Sequence, residues 1–365
     1  MADAQSIGMC QWSRKKSGFD KYTSHYEDEE RFLNDIISIC RNRNIDLIFP
    51  SHNETTVLAK NSGLFSDIST IICPSEEHCD LFNNKKLSYD FARSVGLSVP
   101  TTISYENISE LNLKIKNSSK RYFVKLLTGN SSKGVFACDG DRAVIQKVQE
   151  LIQSYNLSWP RLPQVEEAVV GDGWGCSVFY WQGKIISSFT HKRLVEKISD
   201  GGTSTLREAS RCDVLLDATK KLFDTVKFNG FAMAEYKFCE ETEEYWFIEV
   251  NPRLWGSLPL AIASGVEFPK VAVDCVTSGS IQEQQISASI GWRNTWLLGT
   301  FFVLLSGLLK FDGQTIRQSF GAFRADAFDD FYLDDPLVFF GELASYIYSA
   351  VIRRSLNPET KGMLG

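Results

Sequence analysis

Apolar residues recur at helical spacing through Phe32, Leu33, Ile36, Ile37 and Cys40, and predict a helix beginning near residue 30. It feeds a short buried-strand run, Ile45, Leu47, Ile48 and Phe49, and a second helix–strand alternation leads to STIICP at 69–74. Helices alternating with short apolar strands predict an open parallel α/β sheet. Residues 80–96 read as a helix with Leu81, Leu87, Phe91 and Val95 on one side, closed by Gly96 and Pro100. RYFVKLL (121–127) reads as a strand, GNSSKGV (129–135) as a Gly/Ser loop, and 141–156 as a helix. From 164 strands dominate: QVEEAVV, then CSVFYW, a Gln-Gly turn, and KIISSFT. A helix over 213–228, a hairpin over 232–250 and a mainly helical remainder complete the pattern.

Length and composition narrow the class. The 365 residues carry 39 Lys+Arg against 45 Asp+Glu, a net charge of −6, with 43% hydrophobic content. That length implies two or three lobes, and that apolar fraction excludes wholesale disorder. Mild acidity argues against nucleic-acid binding, which needs a basic face. Nine scattered cysteines form no Cys-x-x-Cys pair, so they read as reduced thiols. The N-terminal residues show no apolar leader, and the expected location is the cytoplasm. The run TWLLGTFFVLLSGLL (295–309) is too short for a bilayer-spanning helix of ~20 residues. It is expected to be a buried helix, without stable membrane insertion; the alternative is an interfacial, membrane-facing helix.

The hairpin AMAEYKFCEETEEYWFIEVNPR carries the strongest chemical signal. In a symmetric hairpin its paired positions sum to 484, so Glu235 opposes Glu249. Asn251, two residues beyond Glu249, projects from the same face. Two carboxylates and an amide oxygen suit a hard cation such as Mg²⁺ that also holds phosphates; the alternative is a solvated sheet face. Arg253 adds a cation whose fork suits phosphate or carboxylate. Lys125, inside the apolar strand YFVKLL, requires an anionic partner if buried. The loop that follows, with Ser131, Ser132, Lys133 and Gly134, is either an anion nest or a mobile surface turn. Glycines 171, 173 and 175 lack Rossmann spacing, so dinucleotide binding is excluded there. An adenosine pocket along QVEEAVVGD is the other reading. HKRL (191–194) and GGTSTLREASR (201–211) read either as an anionic-substrate loop or as solvated surface. His25, His52 and His78 lack metal-ligand spacing and read as structural.

In order, these motifs resemble the ATP-grasp superfamily, in its carbamoyl-phosphate-synthetase-like, carboxylate–amine ligase branch, over roughly residues 12–275. The resemblance implies an α/β ATP-grasp fold. Its expected parts are a shortened pre-ATP-grasp lobe (1–80), an ATP-grasp domain (81–275, divided at 163/164) and a helical C-terminal extension (276–365). NKKLSYDFARSVGLSVP maps the first ATP lysine to Lys85, and YFVKLL the second to Lys125. The phosphate lid maps to Ser131, Ser132, Lys133 and Gly134, and the adenosine pocket to Glu166, Glu167, Val169 and Asp172. The Mg²⁺ ligands map to Glu235, Glu249 and Asn251, and the catalytic residues to Arg253 and Lys125. His191, Arg193, Gly202, Thr203, Ser204 and Arg253 map to the acceptor site. Two features depart from the family. The strand and Gly-rich turn that usually open the first lobe are replaced by residues 1–20, and Asp172 stands where many relatives place Glu.

The resemblance implies ATP and Mg²⁺ (or Mn²⁺) as cofactors, and small-molecule carboxylate and amine substrates. The expected reaction forms an amide through an acylphosphate, releasing ADP and phosphate. A non-catalytic nucleotide binder of a biosynthetic cluster, or an enzyme using bicarbonate or a thiol, are the alternatives. A homodimer is left open.

Overall fold

The computed structural model describes residues 1–5, 7–115, 119–129, 134–196, 204–279 and 288–352. Its N-terminal part holds β1 (Ala2–Asp3), β2 (Asp20–Lys21), α1 (Glu29–Arg43), β3 (Leu47–Ile48), α2 (Glu54–Lys60), β4 (Thr70–Ile71) and α3 (Glu76–Asn83). Strands β3 and β4 pair in parallel, as the helix–strand alternation predicts. Asp28 caps α1 by accepting from the Arg31 amide, and Asn44 ends it in the left-handed region at φ 50°. Phe32, Leu33, Ile36 and Cys40 of α1 are buried with Leu58 and Phe65.

The helix expected over 80–96 is two helices. α3 stops at Asn83, and α4 (Lys85–Ser94) starts after Asn84, whose side chain accepts from the amides of Lys86 and Leu87. An asparagine oxygen competes with the helical ladder for these amides, so a continuous apolar period does not guarantee a continuous helix. The break changes which side chains α4 buries. They are Lys85, Ser88, Tyr89 and Ala92, while Leu87 is exposed.

After α4 come β5 (Thr102–Ile103), α5 (Ile108–Lys114), β6 (Arg121–Lys125), β7 (Val135–Asp139), α6 (Asp141–Tyr155) and β8 (Gln164–Glu167). The four strands form an antiparallel sheet in the order β5-β8-β6-β7. α6 packs Val144, Val148 and Leu151 with Tyr122, Val124 and Val165 of that sheet.

A larger sheet follows, from β9 (Asp172–Trp181), β10 (Lys184–Glu196), β11 (Ser204–Ala209), α7 (Asp213–Thr225), β12 (Gly230–Cys239), β13 (Glu244–Asn251), α8 (Leu258–Ala263) and α9 (Phe268–Ser278). Gln182 and Gly183 join β9 to β10 with φ of 52° and 73°, the paired left-handed conformation of a tight hairpin. α7 packs Leu215, Ala218, Leu222 and Phe223 with Cys176, Val178, Tyr180 and Tyr236. α8 and α9 pack with Phe179, Phe189, Phe231 and Met233, which alternate with those residues along the strands.

The C-terminal part is not helical alone. It contains β14 (Arg293–Thr295), α10 (Leu297–Leu309), α11 (Gly313–Ala322), β15 (Ala327–Phe328) and α12 (Leu337–Ile352). β14 and β15 extend the large sheet to seven strands, in the order β13-β12-β9-β10-β11-β14-β15. The apolar run 295–309 is corrected too. α10 buries Leu298, Gly299, Thr300, Val303 and Gly307, but leaves Phe301, Leu305, Leu308 and Leu309 exposed. A helix apolar all round has no polar face to mark its solvent side, so its pattern implied full burial. Among the described residues, no helix is long and apolar enough to cross a membrane.

Candidate functional site

The site is built on the β12–β13 hairpin. Glu235 and Glu249 are direct cross-strand partners, and Met233 pairs with Asn251. A register shift lies between Glu235 and Tyr236, which pairs with Phe247 and leaves Ile248 without an opposite residue. The pairing sum of 484 therefore holds from Glu235 toward Asn251 and drops to 483 toward the turn. The Glu235–Glu249 row continues through Gly175 of β9 and His191 of β10 to Ala209 of β11. A Cβ on Gly175 would lie 2.2 Å from Cε1 of His191, so only glycine admits the imidazole at this point.

Each carboxylate of the opposed pair faces its own cation. Lys85, at the first turn of α4, places Nζ 3.4 Å from Oε2 of Glu249 and donates to Gly129 O at 3.4 Å. Arg193 places Nη2 2.6 Å from Oε2 of Glu235. The Asn251 amide donates to Oε1 of Glu235 at 3.1 Å, and Arg253 donates to Oδ1 of Asn251 at 2.9 Å. Burial pushes the Glu249 carboxyl up, but Lys85, Lys125 and Arg193 together hold it below its ordinary value. Lys85, Ser88, Gly129, Glu249, Asn251 and Arg253 line one small cleft. The oxygen-only donors Glu235, Glu249 and Asn251 fit a hard divalent cation chemically. Among the described residues no cluster of three or more His, Cys, Asp or Glu side chains could hold a metal.

Lys125 has the anionic partner its burial demands. Its Nζ lies 2.5 Å from Oε1 of Glu166, and both side chains are under a tenth exposed. Tyr89 donates to Oε2 of Glu166 at 2.9 Å, and Gln164 donates to the same oxygen at 3.1 Å. Burial, with the Glu166 carboxylate beside it, raises the Tyr89 hydroxyl well above its usual range, so it remains a donor.

The other expected residues spread from this centre. Glu167 pairs with Lys120 at 2.7 Å, and Asp172 pairs with Lys192 at 2.8 Å. Val169 is half-buried between β8 and β9. Gly134 is buried, and its carbonyl accepts from the Leu126 amide at 2.8 Å. Ser204 is buried, and its hydroxyl lies 2.9 Å from the carbonyls of Val195 and Leu206. Ser131, Ser132, Lys133, Gly202 and Thr203 lie outside the described residues. His191 is 1% exposed, and burial pushes its pKa well down, with Arg193 and Arg207 adding to the effect. It is therefore a neutral ring rather than a cation facing an anion. Nδ1 of His191 has no hydrogen-bond partner among the described residues.

Residues 204–209 form a buried strand, which removes the solvated-surface reading for that stretch. Arg207 within it was not singled out. Its Nη1 donates to Oδ2 of Asp329 at 2.7 Å and its Nη2 to Ser204 O at 2.5 Å. Arg207 also pairs across strands with Arg193 and with Asn294. The C-terminal part is thus tied to the strand beside the site. Tyr89 was missed as well. Its signal was the spacing from Lys85, since residues four apart share a helix face.

Residues 148–280 match the family model for the ATP-binding domain of the carbamoyl-phosphate synthase large chain. No curated protein matches the sequence significantly. Solved structures match the fold. N5-carboxyaminoimidazole synthetase from Staphylococcus aureus, complexed with ADP, superposes with a TM-score of 0.61 at 15% identity, over 85% of this chain and 78% of that one. Biotin carboxylase from Campylobacter jejuni, in a beta-gamma-ATP complex, gives 0.60 at 14% identity, over 79% and 67%. The biotin carboxylase domain of Hydrogenobacter thermophilus 2-oxoglutarate carboxylase, with MgADP, ADP and bicarbonate, gives 0.57 at 15% identity, over 74% and 62%. The chain therefore spans less than two thirds of that carboxylase domain. Residues 148–280 thus match an ATP-binding domain of the carbamoyl-phosphate-synthase type, and the chain shares its fold with these ADP- and ATP-complexed enzymes.

Proposed function

We propose that the chain is an ATP-dependent carboxylate–amine ligase that works through an acylphosphate and releases ADP and phosphate. One observation carries the reading: Lys85, Glu249, Asn251 and Arg253 converge on a single cleft at the open end of the β12–β13 hairpin. Cations, oxygen donors and a guanidinium together suit a nucleotide's terminal phosphates rather than an uncharged ligand.

In this reading ATP lies between the four-stranded and seven-stranded sheets. Lys85 and Lys125 neutralise its phosphates, helped by the loop carrying Ser131, Ser132, Lys133 and Gly134. Glu166, Glu167, Val169 and Asp172 line the adenosine side. Glu235, Glu249 and Asn251 would hold Mg²⁺, which when bound offsets negative charge on the phosphates. Arg253 holds the transferred phosphoryl group or the substrate carboxylate. Arg193 contacts the acceptor, whereas His191 and Ser204, 1% and 4% exposed, support that side from within the sheet. The carboxylate attacks the γ-phosphorus, the bond to the β–γ bridging oxygen breaks, and ADP leaves. The amine then displaces phosphate from the acyl carbon and loses a proton. Positioning and charge neutralisation account for most of the rate in such transfers. Nine free thiols suit a reducing, cytoplasmic setting.

The test is nucleotide release. Purified chain with MgATP and pooled carboxylates and amines should yield ADP in step with amide. AMP as the main product would overturn the mechanism, and tight ATP binding with no turnover on any pool would favour a non-catalytic binder. A second reading uses bicarbonate, because the Hydrogenobacter neighbour was bound to it. ADP release that needs bicarbonate and no other carboxylate would select that reading.

A further inference from the structure

α10 and α11 form a helical hairpin joined by Lys310, Phe311 and Asp312. The two helices approach closely, since a Cβ on Gly307 would lie 2.9 Å from Cγ2 of Thr315. The side chain of Asp312 caps α11, accepting from the amides of Gln314 and Thr315. The outer stripe of α10 is Phe301, Leu305, Leu308 and Leu309, spaced as one helix face, and all four are exposed. Phe311 at the tip is 93% exposed and Phe320 on α11 is 60% exposed. Phe311 also adopts a φ of 54°, which a bulky side chain rarely takes. Phe301 and Phe320 each contact the Phe323 ring, at centroid distances of 5.0 and 6.5 Å, while Leu305, Leu308, Leu309 and Phe311 remain half or more exposed to water.

Cations outnumber acids along the hairpin and its exit: Lys310, Arg317 and Arg324 are exposed, against exposed Asp312 and Asp326. The whole chain carries −6, so this patch runs against the net charge. Apolar side chains flanked by exposed cations are what an anionic lipid surface attracts. A second copy fits less well. A symmetric interface over this hairpin would bring the same cations together.

We infer that the α10–α11 hairpin docks the protein on an anionic lipid bilayer, with Phe311, Leu309 and Phe320 entering the interface and Lys310, Arg317 and Arg324 facing the headgroups. The contact is peripheral, because neither helix is long enough to span the hydrocarbon core. It is independent of the reaction proposed above, since none of these residues lies in the cleft.

The test is flotation of the full chain with vesicles of equimolar phosphatidylcholine and phosphatidylglycerol, beside pure phosphatidylcholine. The chain should float with the anionic vesicles and be released by high salt. Leu309→Ser with Phe311→Ser should lower the bound fraction by about tenfold or more, and Lys310→Glu with Arg317→Glu should abolish the anionic preference. Unchanged melting curves and ATP binding would show that both double variants fold. Amide hydrogen exchange should slow across 305–320 of the wild-type chain on vesicles. Failure to float, flotation untouched by either pair of substitutions, or a solution dimer that Leu309→Ser with Phe311→Ser dissolves would each overturn the inference.

Discussion

Glu235 and Glu249 stand directly opposite each other across the β12–β13 hairpin, yet each is matched to a different cation, Arg193 and Lys85. Like charges in that position normally repel. Here the two cations come from outside the hairpin, one from β10 and one from α4. The protein thus holds two opposed carboxylates at one point of a sheet, each against a cation. Glu249→Gln removes one partner of Lys85, whose side chain is 7% exposed. Without nucleotide, the melting temperature should fall rather than rise, because a buried ammonium loses its counter-charge. Turnover should drop by roughly 100-fold or more if Glu249 stabilises the phosphoryl-transfer transition state. The acid side has a definite sign. The folded-state carboxyl is held below its ordinary value, so its stabilising contribution is full above that value and fades as pH falls through the folded one. Wild-type turnover in Glu249→Gln would remove this residue from the site.

Lys125 and Glu166 form the most buried ion pair of the site. Truncating either alone leaves a desolvated charge, which costs about 3–5 kcal/mol. Lys125→Met should lower the urea midpoint sharply, and Glu166→Gln should do the same. The double variant should recover part of the loss, because neither charge remains. Additive losses in this cycle would mean that the two side chains do not act as a unit.

Gly175 is predicted to be intolerant for a steric reason. An alanine Cβ would lie 2.2 Å from Cε1 of His191, which is itself 1% exposed and has no room to retreat. Gly175→Ala should therefore cost about 1–3 kcal/mol by overpacking. His191→Ala in the same chain should restore most of that stability. Chemical denaturation of the single and double variants checks this, and a single variant as stable as wild type would refute the clash.

Much of this was legible beforehand, and the failures have physical causes. The opposed glutamates followed from strand arithmetic, because antiparallel pairing links distant positions through one constant sum. The bulge at Ile248 was not legible, since an extra residue leaves no mark in composition. The need of Lys125 for an anion followed from desolvation, but its partner Glu166 sits on another strand and only the fold brings it near. The apolar period ran straight through Asn84, while the family resemblance placed a helix start at NKKLSYD, and it is Asn84 that caps α4 there. The pair of Arg207 with Asp329 spans 122 positions, a separation that no local pattern reaches.

The last prediction concerns Glu342 on α12. Burial pushes its carboxyl up to about 8, with the neighbouring Asp330 adding to the effect. Asp330 is itself held in place, accepting from the amides of Leu297 and Leu298 at the start of α10. Trp296 donates its indole N–H to Oε1 of Glu342 at 3.0 Å. A raised acid binds a proton in the folded chain at a pH where the unfolded chain has released it. Stability must then fall as pH rises from the ordinary glutamate value toward about 8, and level off above it. Glu342→Gln keeps an oxygen for Trp296 and cannot ionise, so this part of the slope should vanish and the variant should be the more stable chain at pH 8. Melting temperatures of both chains between pH 6 and pH 9 supply the comparison. Parallel profiles would show that Glu342 is not raised in the folded chain and would refute the prediction.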